Sequence, residues 1–258
     1  MAEKKQELTP MKRQYNAIKE ENQDCILFFR LGDFYEMFDE DARLAARELD
    51  LTLTTRDRNK PEEEQTPMCG VPYHSVDSYM ARLVAKGYKV AICEQTEDPA
   101  TAKGLVQRDI TRIITPGTVT ESCMLEESRN NYIACLYGET EKIGLAFCDV
   151  STGAFFATVC ADAQAAASEL GRFAPSEVIR HGRAVQCPVL DDALLRHLHC
   201  CVNEGLHQGF DLEQAHALLE QHFGMSIGQL GLGGMDATAM ASGGLLKQLL
   251  FVQKNDLK

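Results

Sequence analysis

Short apolar runs of strand length alternate along this chain with segments whose apolar residues recur every three or four positions. CILFFR (25–30), YKVAICEQ (88–95), ITRIITPG (110–117), NYIACLYGE (131–139), KIGLAFCDV (142–150) and GAFFATVC (153–160) are bounded by turn signals and are too short for helices. Between them, Met11, Tyr15 and Ile18 follow a Thr9-Pro10 start signal. Ala42, Ala45, Ala46 and Leu49 follow Asp39 as a cap, and Val76, Tyr79, Met80 and Leu83 follow Ser75, closed by Gly87. Switching between a period of 2 and one of 3.6 commits the chain to an α/β fold.

The pattern changes once. Residues 1–116 read as a mixed-sheet α/β domain and the acidic stretch 117–129 as a linker. Residues 130–258 open with three meander strands, then alternate helices at 162–171 (ended by Gly171), 188–199 and 211–223 (capped by Asp211) with a strand at EVIR after Pro175. The stretch 235–254 is helical in pattern despite Gly243-Gly244. A chain of 258 residues can bury two such cores. No apolar run approaches the roughly 18 residues of a membrane helix, and the start lacks a signal-peptide pattern, so a soluble cytoplasmic protein is expected. The ten cysteines are irregularly spaced without a CxxC pair, which predicts reduced, mostly buried thiols.

The net charge of −12 excludes a generic nucleic-acid sponge. The basic residues of the first half nevertheless cluster, as Arg56, Arg58 and Lys60 and as Lys103, Arg108 and Arg112, which suits a local phosphate-binding stripe. Beside them stands FYEMF (34–38), after the Gly32-Asp33 turn signal. As a strand, it puts Phe34, Glu36 and Phe38 on one face and Tyr35 and Met37 on the core side; as a helix, Phe34 would pack on Phe38 and Glu36 would be solvated. An outward aromatic at a hairpin tip among basic loops suits wedging into a base stack. A carboxylate there repels phosphates, and accepts a hydrogen bond only from a base displaced from its pair. It thus penalises ordinary duplex and spares a deformable one.

LGDFYEMFDEDA, TPMCGVPYHSVDSYMARLV, KVAICEQTEDPATAKGLVQRDITRIITPGT and CDVSTGAF resemble the N-terminal part of the bacterial MutS family of DNA mismatch-recognition proteins. The resemblance covers essentially the whole chain. It implies a mismatch-recognition domain followed by a ribonuclease H-like connector domain, and a DNA-mismatch-binding role in DNA repair. Phe34 would stack on the mispaired base and Glu36 would hydrogen-bond it in kinked DNA. Arg56 and Arg108 would contact the DNA backbone, with Leu31, Pro67 and Met68 close to the site. Leu31 stands where relatives often have Met, and the loop 57–66 is longer and more acidic than the family pattern. The family's ATPase, with its ATP and Mg²⁺, and its clamp are not matched, so a fragment without catalysis or cofactor of its own is expected. The full-length relative would be a nucleoid-associated homodimer that signals MutL partly through the connector, whereas the fragment itself would be monomeric.

Three rival readings remain. Asp149 in CDVSTGAF could open a two-metal nuclease site with Glu169, Glu177, Asp191, Asp192 or Asp211, or it could simply brace the Ser151–Gly153 turn. HLHCC (197–201) with His207 hints at a metal, but adjacent ligands cannot all reach one tetrahedral ion, and core or strand residues fit better. The acidic second half could serve mainly as a protein-docking module. Gly231-Leu232-Gly233-Gly234 lacks the lysine of a phosphate loop and reads as a helix-entry turn.

Overall fold

The computed structural model describes residues 8–254, apart from residues 60, 62–63, 98–103, 122–123, 126–128, 141 and 207–208. The chain divides into two compact units, Met1–Ile114 and Thr115–Lys258. Lys60, Lys103, Glu62, Glu63 and His207 lie outside the described residues.

In the first unit, α1 (Pro10–Glu21) is capped as its start signal requires, the Thr9 hydroxyl accepting the Lys12 N–H at 3.3 Å. The hairpin β1 (Cys25–Leu31) and β2 (Phe34–Phe38) leads into α2 (Asp39–Leu49). Then come β3 (Thr54–Thr55), β4 (Pro67–Pro72), α3 (Val76–Val84), β5 (Lys89–Gln95) and β6 (Arg108–Ile114). The sheet order is β3-β4-β2-β1-β5-β6, with β1 and β5 parallel and the other pairs antiparallel. Tyr15 of α1 packs edge-to-face on Phe29 and Phe38, covering one end of one sheet face. On the other face Met37 and Cys69 lie opposite each other, and the Cys69 thiol donates to the Ala42 carbonyl of α2.

Two caps work differently from expectation. Ser75 precedes α3 but makes no capping bond; its hydroxyl donates to the Pro72 carbonyl at 3.3 Å, stabilising the preceding tight turn. Asp39 is the first residue of α2 rather than its cap, and its carboxylate is held by Lys12.

The second unit contains β7 (Tyr132–Tyr137), β8 (Ile143–Asp149), β9 (Ala154–Cys160), α4 (Ala163–Phe173) and β10 (Glu177–His181). It continues with α5 (Pro188–Asp191), which runs on as a wider π-type helix over Asp192–Leu198, then β11 (Cys201–Glu204), α6 (Leu212–Phe223) and α7 (Asp236–Gln253). The sheet order is β11-β10-β7-β8-β9. β7, β8 and β9 form an antiparallel meander, and β10 and β11 run parallel to β7. A meander extended by parallel strands behind helical crossovers is the ribonuclease H-like arrangement.

Both faces of this sheet are covered, by α4, α5 and its continuation on one side and by α7 on the other. That is why every residue of β8 is buried. Gly171 does not end α4, which runs on to Phe173 and stops at Ala174 with φ 46°. The Gly243-Gly244 pair inside α7 is explained by packing. A Cβ on Gly243 would stand 2.7 Å from the Ala215 Cβ of α6, so glycine lets the two helices touch. Part of the expected linker is also built in: Gly117, Thr118 and Val119 are buried within the second unit.

Candidate nucleic-acid interface

The hairpin β1–β2 positions the candidate wedge. Leu31 and Phe34 are cross-strand partners on either side of the Gly32-Asp33 turn, where Gly32 takes φ 58°. FYEMF is a strand, and its alternation holds, but exposure along the Phe34 face falls steeply. Phe34 is 46% exposed, Glu36 9% and Phe38 3%, because Tyr15 closes the Phe38 end and leaves the hairpin tip open. Glu36 therefore lies not on an open outer face but at the rim of the core. On the opposite face the Tyr35 hydroxyl is hydrogen-bonded to Glu94, and burial together with that carboxylate raises the phenol's pKa. The Arg30 guanidinium lies over the rings of Tyr73, at 4.1 Å, and Tyr35.

Glu36 is held from two strands away. β3 pairs with β4 (Thr55 opposite Pro67) and β4 with β2 (Gly70 opposite Glu36), so Arg56, just beyond β3, returns to the Glu36 carboxylate. Its Nη2 donates to Oε1 at 2.5 Å, while Oε2 is buried with no hydrogen-bond partner among the described residues. Half of the Arg56 side chain remains exposed. Pro67 and Met68 are half-buried at the start of β4, Met68 opposite Phe38.

Arg108 is placed differently from a surface phosphate contact. It is buried; Nε donates to the Arg30 carbonyl at 2.7 Å, and Nη1 donates to the Val106 carbonyl and to Oε1 of Gln14. Its guanidinium lies 5.0 Å from the Phe29 ring centre, and Phe29 is the cross-strand partner of Glu36. Burial lowers its pKa. Arg108 thus braces the floor beneath the hairpin. Gln14, its partner on α1, carries no motif that would have marked it. Arg58 is exposed on the loop after β3.

The rival clusters are dispersed in the second unit. Asp149 braces its turn: Oδ1 accepts the Ser151 N–H at 2.9 Å and the Ser151 hydroxyl at 2.6 Å, and Oδ2 accepts from Asn130 at 2.7 Å. Burial opposes its charge, but these hydrogen bonds prevail and hold its pKa below the ordinary aspartate value. Glu177 is bound by Thr115, Gly117 and Asn203, and Asp191 by Arg180. Asp192 takes Arg196 and His197, Glu169 pairs with Arg172, and Asp211 caps α6. Among the described residues no three His, Cys, Asp or Glu side chains could hold a metal ion.

In HLHCC, Cys200 is buried with its thiol on the Leu194 carbonyl, and Cys201 begins β11. The nine described cysteines form no disulfide, and burial pushes Cys25, Cys69, Cys93 and Cys135 up to about 12. Leu232 packs with Leu219 and Leu246, so its glycine-rich segment is the turn into α7. Among the described residues no helix is long and apolar enough to cross a membrane.

Residues 9–123 match the family "MutS domain I", and residues 131–258 match "MutS domain II". Over 253 residues, 97% of its length, the chain is 46% identical to the DNA mismatch repair protein MutS of Ruminiclostridium cellulolyticum, covering 28% of that protein. It is 56% identical over 178 residues to the protein of the same name from Acetivibrio thermocellus, which takes in 68% of this chain and 20% of that protein. With the MutS of Syntrophomonas wolfei it shares 44% over 254 residues, 97% of this chain and 29% of the relative. The chain thus spans under a third of the length of these relatives, and it belongs to the MutS family, of which it carries domains I and II.

Proposed function

We propose that this chain binds mismatched DNA, with Phe34 as the wedge and Glu36 as the acceptor for the displaced base. The observation that carries this reading is the pairing of a half-exposed aromatic at a hairpin tip with a carboxylate two residues on, one of whose oxygens lacks a partner among the described residues. Stacking a base on an aromatic ring contributes about 1–3 kcal/mol, and a mispaired base costs least to unstack. Leu31 is the cross-strand partner of the wedge, Pro67 and Met68 begin the neighbouring strand β4, and exposed Arg58 suits a phosphate. The chemistry is recognition alone, without catalysis. ATP and Mg²⁺ would serve the remainder of a full-length relative, which we expect to act as a homodimer and to engage MutL partly through domain II.

The test is a mobility-shift comparison of G·T-mismatched and fully paired duplexes at low salt. The wild-type chain should retain the mismatched duplex preferentially, and Phe34→Ala and Glu36→Ala should remove the preference. Equal retention of both duplexes by the wild-type chain rejects the mismatch reading, and retention of neither favours a protein-docking role.

A further inference from the structure

A carboxylate beside DNA needs its charge offset, and Glu36 obtains this in an unusual form. Arg56 contacts Oε1 through Nη2, a single-point contact rather than the two-point fork that guanidinium and carboxylate often adopt. Both oxygens would be satisfied by the fork; here Oε2 is left buried without a partner among the described residues. With Glu36 only 9% exposed, water has little access, so Oε2 carries a desolvation cost that a new donor would relieve. In a paired duplex the imino N–H groups of the Watson–Crick edges are stacked and paired, so such a donor reaches this oxygen only when its base is displaced.

We propose that Arg56 is a positioning residue that sets mismatch selectivity: it neutralises Glu36 through Oε1 and leaves Oε2 as the open acceptor for a displaced base. This rests on the mismatch reading above. It gives Arg56 a role other than the phosphate contact that the family resemblance implies. A phosphate drawn to Arg56 would have to compete with a carboxylate already in contact, and releasing that carboxylate would leave a bare negative charge facing the DNA.

The two roles differ in salt dependence. Affinities of this chain for G·T and paired duplexes, measured by fluorescence anisotropy from 25 to 150 mM KCl, separate them. Losing one phosphate contact makes the slope of log K against log salt shallower by about 0.9 and weakens both duplexes alike. Losing a positioning contact lowers the mismatch-to-paired ratio and spares the slope.

The expected result for Arg56→Gln is a ratio reduced about tenfold, the scale of one good base contact, with an unchanged slope. Arg56→Lys should restore part of the ratio, and Arg56→Gln should add little once Glu36→Gln is present. An equal loss on both duplexes with a shallower slope, undiminished in the Glu36→Gln background, overturns the proposal. If Phe34→Ala leaves the ratio intact, it is the wedge reading that fails. A readout without DNA stands beside these: urea midpoints of the two single variants and the double variant should be non-additive, and strict additivity also overturns the proposal.

Discussion

Glu177 holds Gly117: its Oε2, on a fully buried side chain, accepts the Gly117 N–H at 3.0 Å and also the Thr115 hydroxyl. Oε1 accepts from Asn203 at 2.6 Å. A Cβ on Gly117 would come within 2.8 Å of the Glu177 Cβ and 2.7 Å of the Ile133 Cβ. Thr115-Pro116-Gly117, where the sequence reading passes from the first domain to the linker, is thus held within the second unit by the Glu177 carboxylate, with Asn131 Nδ2 donating to the Pro116 carbonyl at 2.9 Å.

Glu177→Ala should therefore destabilise the second unit by about 2–4 kcal/mol, since it orphans buried donors as well as removing their acceptor. Gly117→Ala should cost about 1–3 kcal/mol through overpacking. Urea unfolding followed by far-UV circular dichroism measures both.

Phe34→Ala should leave the unfolding midpoint nearly unchanged, because a half-exposed side chain at a hairpin tip contributes little packing. The same substitution should abolish mismatch preference. If the midpoint collapses instead, Phe34 is a core residue and the wedge assignment loses its basis.

Asp149 connects stability to pH. Its folded-state pKa is depressed, so its contribution is present above the ordinary aspartate value and is lost as pH falls through the folded one. Wild-type stability should decline on acidification below about pH 4 more steeply than that of Asp149→Asn, as read from urea midpoints between about pH 5 and 2.5. With Mg²⁺, neither protein should nick DNA; nicking by the wild type that vanishes in Asp149→Asn would restore the nuclease reading.

Gly243→Ala sets two effects against each other. Alanine favours the helix by about 1 kcal/mol, but its methyl group would meet Ala215 at 2.7 Å. Overpacking should win, lowering the thermal midpoint by several degrees. A rise in the midpoint would show that α6 and α7 can separate at no cost.

Local chemistry was legible where it decided the structure. The Thr9 and Asp211 caps form because a hydroxyl or carboxylate within reach of free N–H groups has a local answer. The caps assigned to Ser75 and Asp39 did not form because each side chain finds another partner, in Pro72 and Lys12. Only Cys201 of β11 falls in the stretch that the sequence marks as core or strand, and β3, only two threonines long, carries no apolar pattern at all. Such strands exist because a neighbouring strand presents an edge to them.

The same division runs through the candidate site. By itself the sequence determined that Phe34 and Glu36 share a face if FYEMF is a strand, because the pleat of a strand alternates side chains whatever surrounds it. The pairing of β2 with β1 and β4 made it one. Only the tertiary structure decided what surrounds each of them. α1 covers the Phe38 end and not the tip, so Phe34 emerges while Glu36 is nearly buried. The β3–β4–β2 ladder brings Arg56 to a carboxylate twenty positions earlier, and Arg108 turns inward to brace Arg30. Burial and ion pairing depend on which distant segments share space, and no local period encodes that.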